Sequence, residues 1–255
     1  MSTNLSFQNP ALITGTTEYY SLLFVNKNAY KKVFDLLEVV QRMEQLVAHS
    51  DETQLHLTRV NWWQQQLKLM QQQQATLPAI QQLQAEVASG NLNQQLLEQC
   101  LAAISDEFFS TKFAENEQLK SWCQRRFGMA NMAMAQLLNA DIDNIAQFIQ
   151  HSAETEGYCY LLLNKSAELY TQSTEQLSAM AEQSWQLALS NLPPSQAEKL
   201  LPILIRCSID LKRVTKFAKV KTPLEAQQID LLPINKFYLA WRWHRKALAL
   251  TKNNS

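Results

Sequence analysis

The sequence predicts an all-α fold, and three observations carry that expectation. Glycine is scarce, with four in 255 residues (Gly15, Gly90, Gly128 and Gly157), all far apart. Proline is also sparse, with seven. A sheet protein needs many tight turns, which draw on these two residues. Thirdly, apolar residues recur at helical spacing along most of the chain. The length is near the upper end of one domain and sufficient for a sizeable core. Hydrophobic residues at 46% and charged residues at 18% exclude a disordered chain.

Residues 1–16 read as an irregular lead-in, 17–250 as one helical domain and 251–255 as a tail. Leu22, Leu23, Val33, Phe34, Leu37, Val40, Leu46 and Val47 mark a short first helix and a longer second one, with a break at Asn26 and Asn28. Ser50-Asp51-Glu52 offers caps for a third helix, from about Leu55 to Met70. The glutamines that follow have good helix propensity and decorate a solvent face. Pro78 sits in the first turn of the next helix. Asn91 and Gln94 form a capping-box pattern before a helix through Leu97, Leu101 and Ile104. A helix over Glu117 to Leu138 is interrupted near Gly128. Asp141 to Leu169 and Thr174 to Leu192 follow. Pro193-Pro194 stops the chain, and Ser195 with Glu198 forms another capping-box pattern before Leu200 to Val214. Pro223 and Pro233 bracket a loop and a short helix, and a last helix covers Asn235 to Leu250. No internal repeat is present.

Formal net charge is zero, so no global field draws the protein to nucleic acid. Charge is nevertheless uneven. Arg206 to Lys252 holds eleven Lys or Arg residues against three acids. That basic stretch is either a solvated face or a surface for anionic lipid or an acidic partner, with Lys212, Arg213, Lys216, Lys219 and Lys221 at its centre. The first ten residues lack a basic segment followed by an apolar one, so no secretory leader is expected there. Cys100, Cys123, Cys159 and Cys207 are widely spaced and are expected to be reduced and buried. No apolar run is long enough to span a bilayer. The expected location is cytoplasmic, or peripheral to a membrane.

Chemistry-bearing motifs are few. The glycines cannot build a phosphate-cradling loop. His49, His56, His151 and His244 show no metal-ligand spacing. Of the carboxylate pairs, Asp35 with Glu38 has helical spacing, while Asp141 with Asp143 and Glu154 with Glu156 point to different sides of a helix. Arg42, four residues after Glu38, suits an ordinary ion pair.

Taken together, Tyr19-Tyr20-Ser21-Leu22-Leu23-Phe24, the helix from Val33 to Leu46 with Glu44, and Arg59-Val60-Asn61-Trp62-Trp63 resemble the squalene/phytoene synthase family. So does Leu200-Leu201-Pro202 leading to Asp210-Leu211-Lys212-Arg213, followed by Lys236 to Arg245. The resemblance implies a single-domain helical bundle of the isoprenoid synthase type. Catalytic members hold magnesium and prenyl diphosphate with two DxxxD-type motifs. Here the first position reads Glu38-Val39-Val40-Gln41-Arg42-Met43-Glu44, and the second reads Leu161-Leu162-Leu163-Asn164-Lys165. Without both acidic clusters, the charge that stabilises a departing diphosphate is missing. The chain is therefore similar to degenerate members such as the mitochondrial factor that helps assemble respiratory complex I.

This resemblance implies a non-catalytic protein that binds a protein partner or a hydrophobic, isoprenoid-like ligand, with no cofactor. The alternative is a divergent prenyltransferase that uses magnesium through Glu38, Glu44 or Glu156. The expected cavity or partner surface comprises Tyr19, Tyr20, Arg59, Trp62, Trp63, Lys212, Arg213 and Lys216. A cavity with clustered carboxylates would favour the enzyme, and one plugged by aromatic and methionine side chains the binder.

Overall fold

In this computed structural model, residues 15–48, 52–109, 113, 115–164, 171–217 and 230–252 are described. The fold is all-α, with no strand among the described residues. The helices are α1 (Thr17–Leu22), α2 (Lys27–Ala48), α3 (Thr53–Gln71), α4 (Pro78–Ala88), α5 (Gln94–Phe109) and α6 (Asn116–Cys123). A π-helical turn, Gln124–Gly128, joins α6 to α7 (Met129–Leu137). Then come α8 (Ile142–Leu163), α9 (Thr174–Ser190), a 3-10 turn (Pro194–Gln196), α10 (Leu201–Phe217) and α11 (Pro233–Lys252).

Helix α2 shows why these segments fold as they do. Val33, Leu36, Leu37, Met43 and Leu46 fall on one side at helical spacing and are buried. That side packs on α4, α5 and α7. Helix α8 packs against α9, α10 and the π turn, and α1 lies on α10. A second, smaller apolar cluster gathers Phe113, Leu119, Trp122, Tyr158 and Leu177. Gly157 lets α8 pass α6 closely, because a Cβ there would sit 2.2 Å from the Cys123 sulfur.

Several local expectations shift. Helix α5 starts at Gln94 rather than Leu92. Asn93 caps it by accepting from the Gln95 amide at 3.0 Å, while the Asn91 side chain donates to Glu86 at 3.1 Å. Ser195 with Glu198 does not start a helix. The two prolines instead set a 3-10 turn, and α10 begins at Leu201. A complete capping box occurs at α9 instead, where Ser173 and Gln176 satisfy each other's backbone amides at 3.2 and 2.9 Å. The interruption near Gly128 is the π turn. All four cysteines are free and buried. The expected end of α8 over 165–169, the loop after Pro223 and the lysines at 219 and 221 lie outside the described residues.

Candidate functional site: a cavity lined by ion pairs

A cavity of about 400 Å³, open on one side, is lined by α1, α2, the π turn, α7, α8, α10 and the start of α11. Part of its wall is apolar: Leu36, Leu37, Val40, Phe127, Ala130 and Met134. The rest is strongly charged, and its charges other than Glu18 meet in ion pairs.

The first pair centres on Arg126. A π turn inserts an extra residue into the helical repeat, and such turns recur at functional sites. Here it directs Arg126 inward, where the side chain is almost completely buried. One guanidinium nitrogen bonds Glu107 of α5, and another lies 3.4 Å from Glu44 of α2. The Tyr160 hydroxyl donates to the other Glu107 oxygen at 3.0 Å. The guanidinium carbon lies 4.3 Å from the Tyr160 ring centroid and 5.3 Å from that of Phe127. Cation–π attraction of this kind strengthens as water is excluded. Burial raises the Glu44 carboxyl above the usual range, while Arg126 and Arg206 pull it back down.

The second pair joins α8 to α10. Arg206 Nη2 donates to Glu156 at 2.8 Å, and the Asn131 amide donates to the same oxygen at 3.1 Å. Burial pushes the Glu156 carboxyl up, Arg206 lowers it, and neighbouring Asp210 raises it again. A third group closes the mouth. Arg213 holds Asp210 at 3.1 Å and lies 3.4 Å from Asp230. Lys236 bonds Asp230 at 2.6 Å and also the carbonyl of Gly15. These contacts tie Gly15, just before α1, to α11 and, through Asp230, to α10.

Two buried polar atoms of cavity-lining residues have neither a hydrogen-bond nor an ion-pair partner among the described residues: Gln41 Oε1 and Arg126 Nε. One is an acceptor and the other a donor. Among the described residues, no three His, Cys, Asp or Glu side chains come together in a way that could hold a metal ion.

The sequence-predicted residues divide between several places. Glu44 and Glu156 face this one cavity from different helices. Glu38 lies outside it and is engaged by Arg42 at 2.7 and 2.9 Å. Tyr20 is a core residue and packs edge-on against half-buried Tyr19. Arg59, Trp62 and Trp63 border a separate groove with Arg42 and Leu46. Trp63 is buried there, and Trp62 is 43% exposed. Arg213 belongs to the cavity mouth, whereas Lys212 and Lys216 are on the surface. Lys216 donates to the Asp230 carbonyl at 2.8 Å.

Gln41, Arg126, Asn131, Arg206 and Lys236 were not foreseen as site residues. Their one available signal is that an acid such as Glu156, set in an apolar helical stretch, requires a buried cation from elsewhere. No known protein-family model matches this chain, and no curated protein matches it.

Proposed function

We propose that this chain is a non-catalytic binding protein of the squalene/phytoene synthase kind, whose central cavity takes a small amphipathic molecule without a metal ion. The observation that carries this reading is the pairing of the cavity's carboxylates. Glu44, Glu156, Asp210 and Asp230 each sit against an arginine or lysine of the protein itself. A diphosphate-ionising enzyme needs such acids for magnesium. Here these four carboxylates already face the protein's own cations, and Glu18 is the one lining acid outside these pairs among the described residues.

The volume falls within the range of about 300–1,000 Å³ usual for ligand sites. An apolar body fits against Leu37, Val40, Phe127 and Leu163. A polar head such as a hydroxyl would meet the polar part of the wall, which includes Gln41. Helix order along the chain, the position of Glu44 and the Arg59–Trp63 segment support the family reading.

The test is calorimetric titration with farnesol, a neutral prenyl alcohol, with and without EDTA. Saturable binding is expected, unchanged by the chelator. Ala130→Phe should abolish it by filling the cavity. Gln41→Leu should weaken it up to about tenfold, the worth of one hydrogen bond. Absence of binding, or binding indifferent to Ala130→Phe in a variant with wild-type circular dichroism, would overturn the proposal.

A further inference from the structure

The last helix carries a second feature, remote in kind from the cavity. On α11, Lys236, Ala240, Trp243 and Ala247 face inward and are buried. The outward face is not the polar surface that this pattern normally leaves to solvent. Ile234, Phe237, Tyr238 and Trp241 recur at i, i+3, i+4 and i+7, and they are 67%, 44%, 54% and 39% exposed. Leu232, just before the helix, is 64% exposed. Single exposed apolar residues are ordinary, but a contiguous stripe marks a docking surface.

The charges beside the stripe specify what docks. From Leu231 to Lys252 there is no Asp or Glu. Arg242, Arg245 and Lys246 are exposed. None of the three has an ion-pair partner among the described residues. Arg245 instead lies 5.3 Å from the Trp241 ring centroid, and Lys246 lies 4.6 Å from that of Trp243. An apolar stripe that includes Trp and Tyr, edged by unneutralised cations, has the composition of a helix lying in the plane of a membrane interface. Aromatic rings seat at the headgroup level, and the cations meet anionic headgroups. No helix among the described residues is long and apolar enough to cross a membrane, so the geometry concerns lying on the surface.

We propose that the outward face of α11, built from Ile234, Phe237, Tyr238 and Trp241 with Arg242 and Arg245 at its edge, docks this protein on an anionic lipid bilayer. The determinant is then the aromatic stripe with its flanking arginines. Arg213 is committed to the cavity mouth, and Lys216 to the Asp230 carbonyl.

Co-sedimentation with vesicles of phosphatidylcholine alone, or with added phosphatidylglycerol, tests this on the full chain. Wild type should pellet with the anionic vesicles and do so less as salt is raised. Phe237→Ser with Trp241→Ser should remove binding, and Arg242→Glu with Arg245→Glu should weaken it roughly tenfold or more. Trp62→Ser, which removes an exposed tryptophan elsewhere, should leave it intact. All these positions are exposed, and circular dichroism checks that each variant is folded. No pelleting with either vesicle, or pelleting unchanged by the stripe substitutions, overturns the proposal. Light scattering that shows a dimer dissolved by Phe237→Ser with Trp241→Ser, without vesicle binding, would assign the face to a second copy and also overturn it.

Discussion

Replacing Arg126 with methionine is expected to lower stability by about 3–5 kcal/mol, the loss that follows when one partner of a buried ion pair is removed. Arg126 is the sole cation in direct contact with Glu107 among the described residues, and Glu107 is itself buried. Methionine fills similar space but leaves that carboxylate in a low-dielectric setting with only the Tyr160 hydroxyl beside it. The stacking of the guanidinium on Tyr160 and Phe127 is lost as well. Urea unfolding should show a lower midpoint with an unchanged slope. Adding Glu107→Gln should restore much of the loss, because the stranded charge is then gone. If Arg126→Met unfolded at the wild-type midpoint, the pair would not be the structural centre described above.

A comparable loss, about 3–5 kcal/mol near neutral pH, is expected for Arg206→Met. Here the pH dependence gives a second readout. In the wild type, burial already raises the Glu156 carboxyl, and Arg206 is the main influence opposing that rise. Removing Arg206 raises it further. A carboxyl whose folded-state pKa exceeds its unfolded value of about 4.3 binds protons more tightly in the folded state. Its neutral form favours folding, so stability increases as pH falls through the folded pKa and declines as pH rises through it. The deficit of Arg206→Met should therefore shrink on acidification from pH 7 toward the unfolded glutamate range. Arg206→Met with Glu156→Gln should show a small deficit and no such recovery. A deficit that stayed constant with pH would mean that Glu156 is not the group left uncompensated.

The helices were legible in the sequence because their signal is local. The spacing from Val33 to Leu46 is carried by consecutive turns of one segment, and α2 buries that side. Caps were legible in kind but not always in place. Asn91 and Asn93 both precede the same helix, and only contact with the rest of the fold decides which of them caps. Ser195 had the right partner three residues on, yet two prolines made a tighter turn the cheaper backbone. The site was legible only by half. Glu44 is marked by the family resemblance, and Glu156 by its carboxylate pair with Glu154 and as an acid of the enzyme alternative. Their partners come from helices 50 residues or more away in sequence, with separations of 82 for Arg126 and Glu44 and 50 for Arg206 and Glu156. No periodicity links such positions. The basic C-terminal region hid a similar division, because net charge does not say which cations point inward. Arg206, Arg213 and Lys236 are inward, while Arg242 and Arg245 are outward.

The cavity follows neither simple expectation. It is not plugged by aromatic and methionine side chains, and its carboxylates are not left clustered together. They are interleaved with arginines, and that interleaving underlies the reading of a binder. Electron paramagnetic resonance of manganese(II), titrated with protein in the presence of farnesyl diphosphate, tests this reading most directly. The account predicts that the protein binds no manganese beyond what the diphosphate binds in buffer. Additional bound manganese that disappears in the Glu44→Gln, Glu156→Gln double variant would contradict it, and would return these carboxylates to metal-dependent prenyl transfer.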